Sequence, residues 1–219
     1  MKDVDVAELK TLISEGENLK IEFKRQFSSV EKIAKELIAF ANTKGGMILF
    51  GVDDDGTIYG VPSEKSEIDL IREAARDHCE PPIDPIVQVI ELNRKDVVVA
   101  IVEESRTKPH RLQDYRAVLS RDAKVYIRIN DKSVIASREV VRILESENPD
   151  SEPLSIIIGE NERRLFKYLE EEERITVRDY AKLVNISERR ASRILVNLVR
   201  AGVIRIHTEE RFEYFTSAF

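Results

Sequence analysis

Cysteine pairs, an excess of positive charge and long hydrophobic runs are all missing from this 219-residue sequence, and each absence excludes a class of protein. The single cysteine, Cys79, cannot form a disulfide within the chain, which excludes a disulfide-stabilised secreted domain. No run approaches the roughly 20 apolar residues that a membrane helix needs. The N-terminal stretch MKDVDVAELKTLISEGE is acidic and amphipathic, unlike a secretory signal. The sequence therefore predicts a cytoplasmic protein with no membrane segment.

Charged residues are abundant but nearly balanced in sign. They make up 35% of the chain, and 41 acidic residues outnumber 35 basic ones, for a net charge of -6 at pH 7. This balance argues against a uniformly basic nucleic-acid-binding protein. The charges are unevenly spread, however, and a local basic patch can bind a polyanion whatever the total charge.

A change in composition divides the sequence into two parts. Residues 147–155, ENPDSEPLS, contain two prolines and three acidic residues but no basic residue, which is typical of a linker. Strand-like and helical patterns are mixed before this segment, and helical patterns dominate after it. We therefore predict one domain over residues 1–146, a linker over 147–159 and a second domain over 160–219.

Hydrophobic periodicity in the first domain predicts a mixture of helices and strands. Ile33, Leu37 and Ala41 share one side of a helix that Ser29 can cap. Two apolar runs on either side of residues 93–95 are typical of a β-hairpin. Because the strands cluster in hairpins, the α+β class is favoured over a parallel sheet. The expected helices cover residues 4–15, 29–42, 66–78 and 137–145, and the expected strands cover 20–23, 47–52, 57–61, 86–92, 96–102 and 124–129.

The segment FANTKGGMILFGVDDDGTIYG, residues 40–60, combines glycine pairs with three consecutive aspartates. Its first glycines follow a helix, which is the wrong order for a phosphate-binding P-loop, and its acids lack the spacing of a calcium loop. Gly45 is expected to end the helix, and Asp55-Gly56 to form a turn. Asp53, at the end of an apolar strand, is either part of a solvated edge or a functional carboxylate.

Acidic and basic side chains also occur together upstream, in the segment GENLKIEFKRQF. Glu17 and Glu22 lie five residues apart, close to Lys24 and Arg25. Carboxylates can hold a divalent ion while cations hold backbone phosphates, so these residues and Asp53 could form a phosphodiester site. The simpler interpretation is a solvated, charged edge of the sheet.

Four motifs follow one another along the chain: GENLKIEFK, IAFANTKGGMILFGVDDDGTIYGV, KPHRL and VYIRINDKSVIASREVV. As an ordered series they resemble the Schlafen-type AlbA-like domain, over about residues 10–146. The resemblance implies an α+β fold, with a mixed sheet and flanking helices, that binds nucleic acid. The family includes bacterial and archaeal regulators, for which no catalytic residue, metal or cofactor is expected.

The animal Schlafen proteins imply an alternative. Their metal-dependent, RNA-cleaving carboxylate site resembles the set formed here by Glu17, Glu22 and Asp53, which would then be catalytic ligands of Mg²⁺ or Mn²⁺. Animal Schlafen proteins join two such lobes in one chain. This sequence has one lobe, so two chains would have to pair to complete a groove for nucleic acid.

A basic segment follows the predicted hairpin. Eight lysines and arginines lie between residues 106 and 132, against three aspartates, and much of the segment lacks periodicity and is expected to be a loop. The stretch KVYIRI alternates, which places every second residue from Lys124 on one strand face. Such cations can follow a phosphate backbone, although a solvated face is the alternative. The candidate nucleic-acid-binding residues of this domain are Lys24, Arg25, Arg106, Lys108, His110, Arg111, Lys124 and Arg128.

The second domain resembles a winged helix-turn-helix, over about residues 160–219. Thr176 can cap a short helix, Asn185-Ile186 can form a turn, and Ser187 can cap a second helix. Two apolar stretches, 204–206 and 212–215, are expected to pair as the wing.

Three arginines give the second of these helices its charge. Arg189, Arg190 and Arg193 lie in its N-terminal half, which such domains place in a major groove. They complete the candidate nucleic-acid-binding residues. A winged helix used only for protein pairing is the alternative.

The combined patterns favour a DNA-binding transcriptional regulator that acts as a homodimer, with DNA rather than RNA as its partner. Two modules that each resemble a DNA binder, joined by a linker, gain affinity from their connection. The alternative is a metal-dependent endoribonuclease that acts on structured RNA through Glu17, Glu22 and Asp53. A protein-interaction scaffold with degenerate sites is a third interpretation.

Overall fold

The chain divides after Ala136 in the computed structural model, which describes residues 3–113, 123–148, 154, 156, 158–210 and 212–219. The first unit mixes helices with strands, as the α+β prediction requires. Its helices are α1 (Val6–Glu15), α2 (Val30–Asn42) and α3 (Glu64–Asp77). Its strands are β1 (Ile21–Lys24), β2 (Gly46–Phe50), β3 (Cys79–Glu80), β4 (Ile86–Leu92), β5 (Lys95–Val102), β6 (Arg111–Leu112), β7 (Tyr126–Ile129) and β8 (Lys132–Ile135).

A mixed four-stranded sheet in the order β1-β2-β5-β4 is the centre of this unit. β1 runs parallel to β2, and the other two pairs are antiparallel. The predicted hairpin between β4 and β5 is confirmed, with its turn at Asn93 and Arg94, whose φ angles are 55° and 60°. Positive φ at two successive turn residues matches the twist of a two-residue hairpin.

Both faces of the sheet are covered. Along β5, Val98 and Ala100 face the core formed with α2 and α3, whereas Val97 and Val99 face the core to which α1 contributes Leu9. This alternation follows from the two-residue period of a strand. Because both faces are buried, β5 is an almost continuous apolar run.

The predicted strand over residues 57–61 is wrong. Only an isolated bridge forms there, between Val52 and Ile58. The backbone N–H groups of Tyr59 and Gly60 both donate to the carbonyl of Gly51, and Gly60 has φ 75°. The chain therefore turns back over the end of β2 and does not extend beside it.

A hairpin of β7 and β8 lies against α2. Buried Asn42 connects them: its side-chain amide donates to the carbonyls of His110 and Tyr126, at 2.9 and 3.0 Å, and its oxygen accepts from the His110 N–H at 2.7 Å. The last residue of α2 thus fixes two segments that are distant in sequence.

The second unit begins with a helix that the sequence analysis assigned to the first domain. α4 (Arg138–Glu147) belongs with α5 (Glu160–Glu172), α6 (Val177–Val184) and α7 (Glu188–Arg200). Its strands β9 (Arg174–Ile175), β10 (Ile204–Thr208) and β11 (Glu213–Ser217) form one small sheet in the order β10-β11-β9. The predicted linker thus lies between α4 and α5, and residues 149–153, 155 and 157 of it lie outside the described residues.

Candidate nucleic-acid interface

α6 and α7 form the helix-turn-helix that the sequence predicts. The Thr176 hydroxyl caps α6 by accepting from the Asp179 N–H at 3.2 Å. Asn185 ends α6 in the left-handed conformation, with φ 55°, which asparagine tolerates better than most residues. Ser187 then caps α7 by accepting from the Arg190 N–H at 3.3 Å. The turn between two defined caps fixes where α7 begins.

One side of α7 is core and the other carries cations. Ala191, Leu195 and Leu198 are buried in the hydrophobic cluster of the second unit. The three predicted arginines, Arg189, Arg190 and Arg193, are all exposed. The positive end of the helix dipole adds to their field at the N-terminal turns. The exposed charges therefore favour contact between this part of α7 and a polyanion.

The wing is aromatic and acidic. His207 and Tyr214 are cross-strand partners in β10 and β11, with ring centroids 4.9 Å apart, and the half-exposed Phe212 lies 5.9 Å from Tyr214. Glu209 and Glu210 are exposed at its tip. The two negative charges there would repel a phosphate backbone.

In the first unit, the predicted phosphate ligand Arg128 is fully buried. One guanidinium nitrogen, Nη1, donates to Glu22 Oε2 at 2.7 Å and to Glu36 Oε2 at 3.3 Å. The other, Nη2, donates to the carbonyl of Asn18 at 2.8 Å, and the group lies 4.7 Å from the centre of the Phe40 ring. The prediction that Arg128 faces a nucleic acid is therefore wrong, because α2 covers that face of β7.

The partners of Arg128 are themselves engaged. Lys24 also donates to Glu22, and the Ser133 hydroxyl donates to Glu36. Lys24 is mostly buried by these contacts. A buried charge of this kind is tolerated because it is paired and hydrogen-bonded, although Nε of Arg128 has no hydrogen-bond partner among the described residues. The network joins β1, α2 and the β7–β8 hairpin.

The carboxylates of the alternative metal site do not fit a divalent ion in this arrangement. Glu17 accepts from the Phe23 N–H at 2.8 Å, and its pKa is raised by burial and by the nearby Glu22 carboxylate. Asp53 faces Arg25, 3.9 Å away. Among the described residues, no three histidine, cysteine, aspartate or glutamate side chains form a group that could hold a metal. Glu22 is bonded to two cations, Lys24 and Arg128.

Comparison with known proteins assigns both units. Residues 17–137 match the family model described as Schlafen, AlbA_2. The chain belongs to the Schlafen AlbA_2 family. Residues 159–205 match the model described as winged helix-turn-helix DNA-binding. The two modules are therefore of kinds associated with nucleic-acid binding, in the order that the sequence predicts.

Two solved structures resemble parts of the chain. A Corynebacterium diphtheriae protein, DIP2311, has 16% identity and a TM-score of 0.47 over 68% of this chain. This chain spans 33% of that protein's length. The N-terminal domain of a RecG-related protein from Nitrosomonas europaea has 23% identity and a TM-score of 0.42, covering 59% of this chain and 95% of the domain.

Two further candidates are buried inside the Schlafen AlbA_2 domain. Lys108 is 5% exposed and pairs with Glu104 at 2.7 Å. The His110 ring lies between the Pro81 carbonyl and the Ser105 hydroxyl, each at 2.7 Å, and burial lowers the pKa of His110. Neither side chain can reach a phosphate from these positions, so their predicted role as ligands is wrong.

The remaining candidates of the Schlafen AlbA_2 domain reach solvent to different extents. Arg106 and Lys124 are exposed, and Arg111 is half-buried in β6. Arg25 is exposed and stacks on Tyr59, 3.9 Å from the ring centre. Residues 114–122 of the predicted basic loop, which include Arg116 and Arg121, lie outside the described residues. Among the described candidates of this domain, fewer cations are thus accessible than the sequence predicts.

Sequence reasoning missed two buried polar residues of the Schlafen AlbA_2 domain: Glu36, which contacts Arg128, and Asn42, which contacts His110 and Tyr126. Glu36 lies three residues after Ile33 on the covered face of α2, and Asn42 ends the same helix. A charged residue in phase with a buried helical stripe was the available signal. Among the described residues, no helix has the length and apolar character to cross a bilayer.

Proposed function

We propose that the chain is a DNA-binding transcriptional regulator that acts as a homodimer. The observation that carries the proposal is the exposed cluster of Arg189, Arg190 and Arg193 on the capped N-terminal turns of α7. Arginine forms bidentate hydrogen bonds with the major-groove edge of guanine, which is a common specific contact. In helix-turn-helix proteins these contacts come from the N-terminal part of the second helix.

The Schlafen AlbA_2 domain is proposed to add contacts that do not depend on sequence. Its exposed Arg25, Arg106 and Lys124 can pair with phosphate oxygens, which position a protein on the duplex without reading bases. Connection to the winged helix raises the effective concentration of each module once the other is bound.

A homodimer is proposed because one winged helix reads a short site. Dimeric helix-turn-helix proteins contact two half-sites about one helical turn apart, and the operator's symmetry mirrors that of the protein. Sedimentation equilibrium tests this point: a dimer with and without DNA is expected, and a strict monomer on a palindromic site would contradict it.

The ribonuclease alternative has less support, because two of its three carboxylates already face cations of the chain. Glu22 is bonded to Arg128 and Lys24, and Asp53 faces Arg25. Any metal would first have to break the buried pair between Glu22 and Arg128.

Mobility shifts at low salt test the proposed function. The probes are a random-sequence duplex, a single strand and transfer RNA, and we expect the duplex to be bound most tightly. Arg189→Ala should weaken binding to the preferred duplex, selected from the random-sequence pool, by about 1–3 kcal/mol. Lys167→Ala removes an exposed cation from α5 of the same unit and should have little effect. Binding of no probe, or a clear preference for transfer RNA, would contradict the proposal.

A further inference from the structure

Helix α4 lies outside both family matches. The Schlafen AlbA_2 match ends at residue 137 and the winged-helix match begins at residue 159, whereas α4 covers Arg138–Glu147. The helix nevertheless packs against α7, the helix with the exposed arginines. Its position therefore bears directly on how α7 can meet DNA.

An apolar seam holds α4 on the side of α7. Val140 and Leu144 of α4 are 8% and 6% exposed. On α7, Ser192 and Val196 are each 5% exposed, on the side where α4 packs and away from core residues such as Leu195. Burying these aliphatic side chains stabilises the short helix against α7.

Polar contacts fix the register of the two helices. Arg142 Nη1 donates to the Ser192 hydroxyl at 2.9 Å, and that hydroxyl in turn donates to Glu139. At the start of α4, the Ser137 hydroxyl hydrogen-bonds Glu213 of the wing. Arg142 is thus held across the seam between α4 and α7.

Two grooves open along this seam, and arginines dominate both. One, of about 550 Å³, is lined by Arg138 and Arg142 of α4 with Arg189 of α7, against Glu139 and Glu188. The other, of about 250 Å³, is lined by Arg142, Arg193 and Arg200, against Glu145. Five arginines against three glutamates give the seam a net charge of +2, in a chain whose total is -6.

We propose that α4 is part of the DNA interface, with Arg138 and Arg142 binding the phosphate backbone beside the groove that α7 enters. This inference rests on the proposed function of α7. A B-form major groove is about 12 Å wide and one α-helix with its side chains is about 10–12 Å across, so α7 alone fills it. Packed helices have axes about 8–10 Å apart, which places α4 over the groove edge, where the phosphates run.

The proposal separates two kinds of contact on neighbouring helices. A phosphate contact is independent of sequence and releases counterions, so log K changes with log salt by about 0.9 per contact. A base contact changes the preference between sequences. Loss of Arg138 should therefore change the slope of log K against log salt. Loss of Arg189 should change the preference between DNA sequences.

The test is fluorescence anisotropy of the full chain on its preferred duplex and on an unrelated duplex, at 50 to 200 mM salt. Arg138→Gln should weaken binding to both duplexes by the same factor. That factor should shrink about threefold across the salt range, because one phosphate contact is lost. Arg142→Gln should act in the same direction, with thermal unfolding to confirm that α4 stays folded. Lys167→Gln is the matched control and should change neither quantity.

The outcomes separate the two proposals. If Arg189→Ala lowers the preference for the selected duplex while Arg138→Gln leaves affinity and salt slope unchanged, α7 binds DNA and the role of α4 is refuted. Tighter binding by Arg138→Gln would also refute it, because α4 would then hinder the approach of α7. Failure of the unsubstituted chain to bind any duplex would overturn both.

Discussion

Replacing Arg128 by methionine removes the cation from the buried network of the Schlafen AlbA_2 domain while keeping most of the side-chain volume. The guanidinium is fully buried and donates to Glu22 at 2.7 Å, to Glu36 at 3.3 Å and to the Asn18 carbonyl at 2.8 Å. After the substitution, two carboxylates and one carbonyl in the interior lose their shared donor. Lys24 still pairs with Glu22, so part of the charge stays compensated.

Breaking a buried ion pair on one side costs about 3–5 kcal/mol, because the remaining charge stays desolvated. For a domain of this size, each kcal/mol lowers the melting temperature by roughly 2–4 °C, so we expect a fall of roughly 6–20 °C. Adding Glu22→Gln removes one of the stranded charges, so the double variant should be less destabilised than the sum of the single variants.

Thermal unfolding followed by circular dichroism measures the loss, and hydrogen exchange at the amides of β1 and β7 locates it. Arg106→Met, which removes an exposed arginine from the same unit, should change stability by no more than about 0.5 kcal/mol. A loss below about 1 kcal/mol for Arg128→Met would place the pair in the range of solvent-exposed salt bridges. Glu22 would then be available to a metal, which would favour the ribonuclease alternative.

Three further predictions concern other buried groups of the same unit. Burial lowers the pKa of His110 below its ordinary 6.5, so the unfolded chain binds the proton more readily than the folded chain. The free energy of unfolding should therefore fall as pH drops below 6.5, by up to about 1.4 kcal/mol per pH unit. Urea unfolding from pH 5 to 8 measures this dependence, and the same pH dependence in His110→Gln would contradict it. Asn42→Ala leaves the buried carbonyls of His110 and Tyr126 and the His110 N–H without their partner, and should lower the free energy of unfolding by at least about 2 kcal/mol. Thermal unfolding measures this loss, and no change in stability would show that water replaces the amide. Burial raises the pKa of the Cys79 thiol to about 12, so a thiol reagent should label it only in denaturant. Rapid labelling of the folded chain would contradict its buried position.

Local signals in the sequence predicted most of the helices and hairpins. The capping residues Ser29, Thr176 and Ser187 stand where the helices begin, since a short polar side chain before an apolar stripe favours a helix start. The hairpin at Asn93 was readable because two apolar runs flank a short polar turn. The two-residue strands β3, β6 and β9 could not be predicted, because so short a segment shows no alternation of apolar and polar residues.

Burial of charge could not be predicted from the same signals. Lys124 and Arg128 alternate along one stretch, yet one is exposed and the other is fully buried. The difference arises because α2, whose Glu36 lies 92 residues before Arg128, covers only part of that stretch. The exposed side of α7 could be predicted, because the spacing of its apolar residues defines which side faces the core. Its three arginines lie on the other side and are exposed. Long-range packing therefore decides which cations remain accessible.

The helix against which α4 packs could not be predicted from the sequence either. Its apolar stripe predicts a buried face but does not specify which neighbour covers it. The structure assigns that face to α7, so this helix belongs with the winged helix in space although it precedes the predicted linker.

The ratio of specific to non-specific DNA affinity shows whether α7 reads DNA through its exposed arginines. A duplex selected from a random pool and a scrambled duplex of equal composition are compared at one salt concentration, for the unsubstituted chain and for Arg189→Ala combined with Arg193→Ala. If α7 reads DNA in this way, the ratio should fall by at least about tenfold, the effect of losing about 1.4 kcal/mol of base contact. An unchanged ratio, with both affinities lowered equally or not at all, would contradict it.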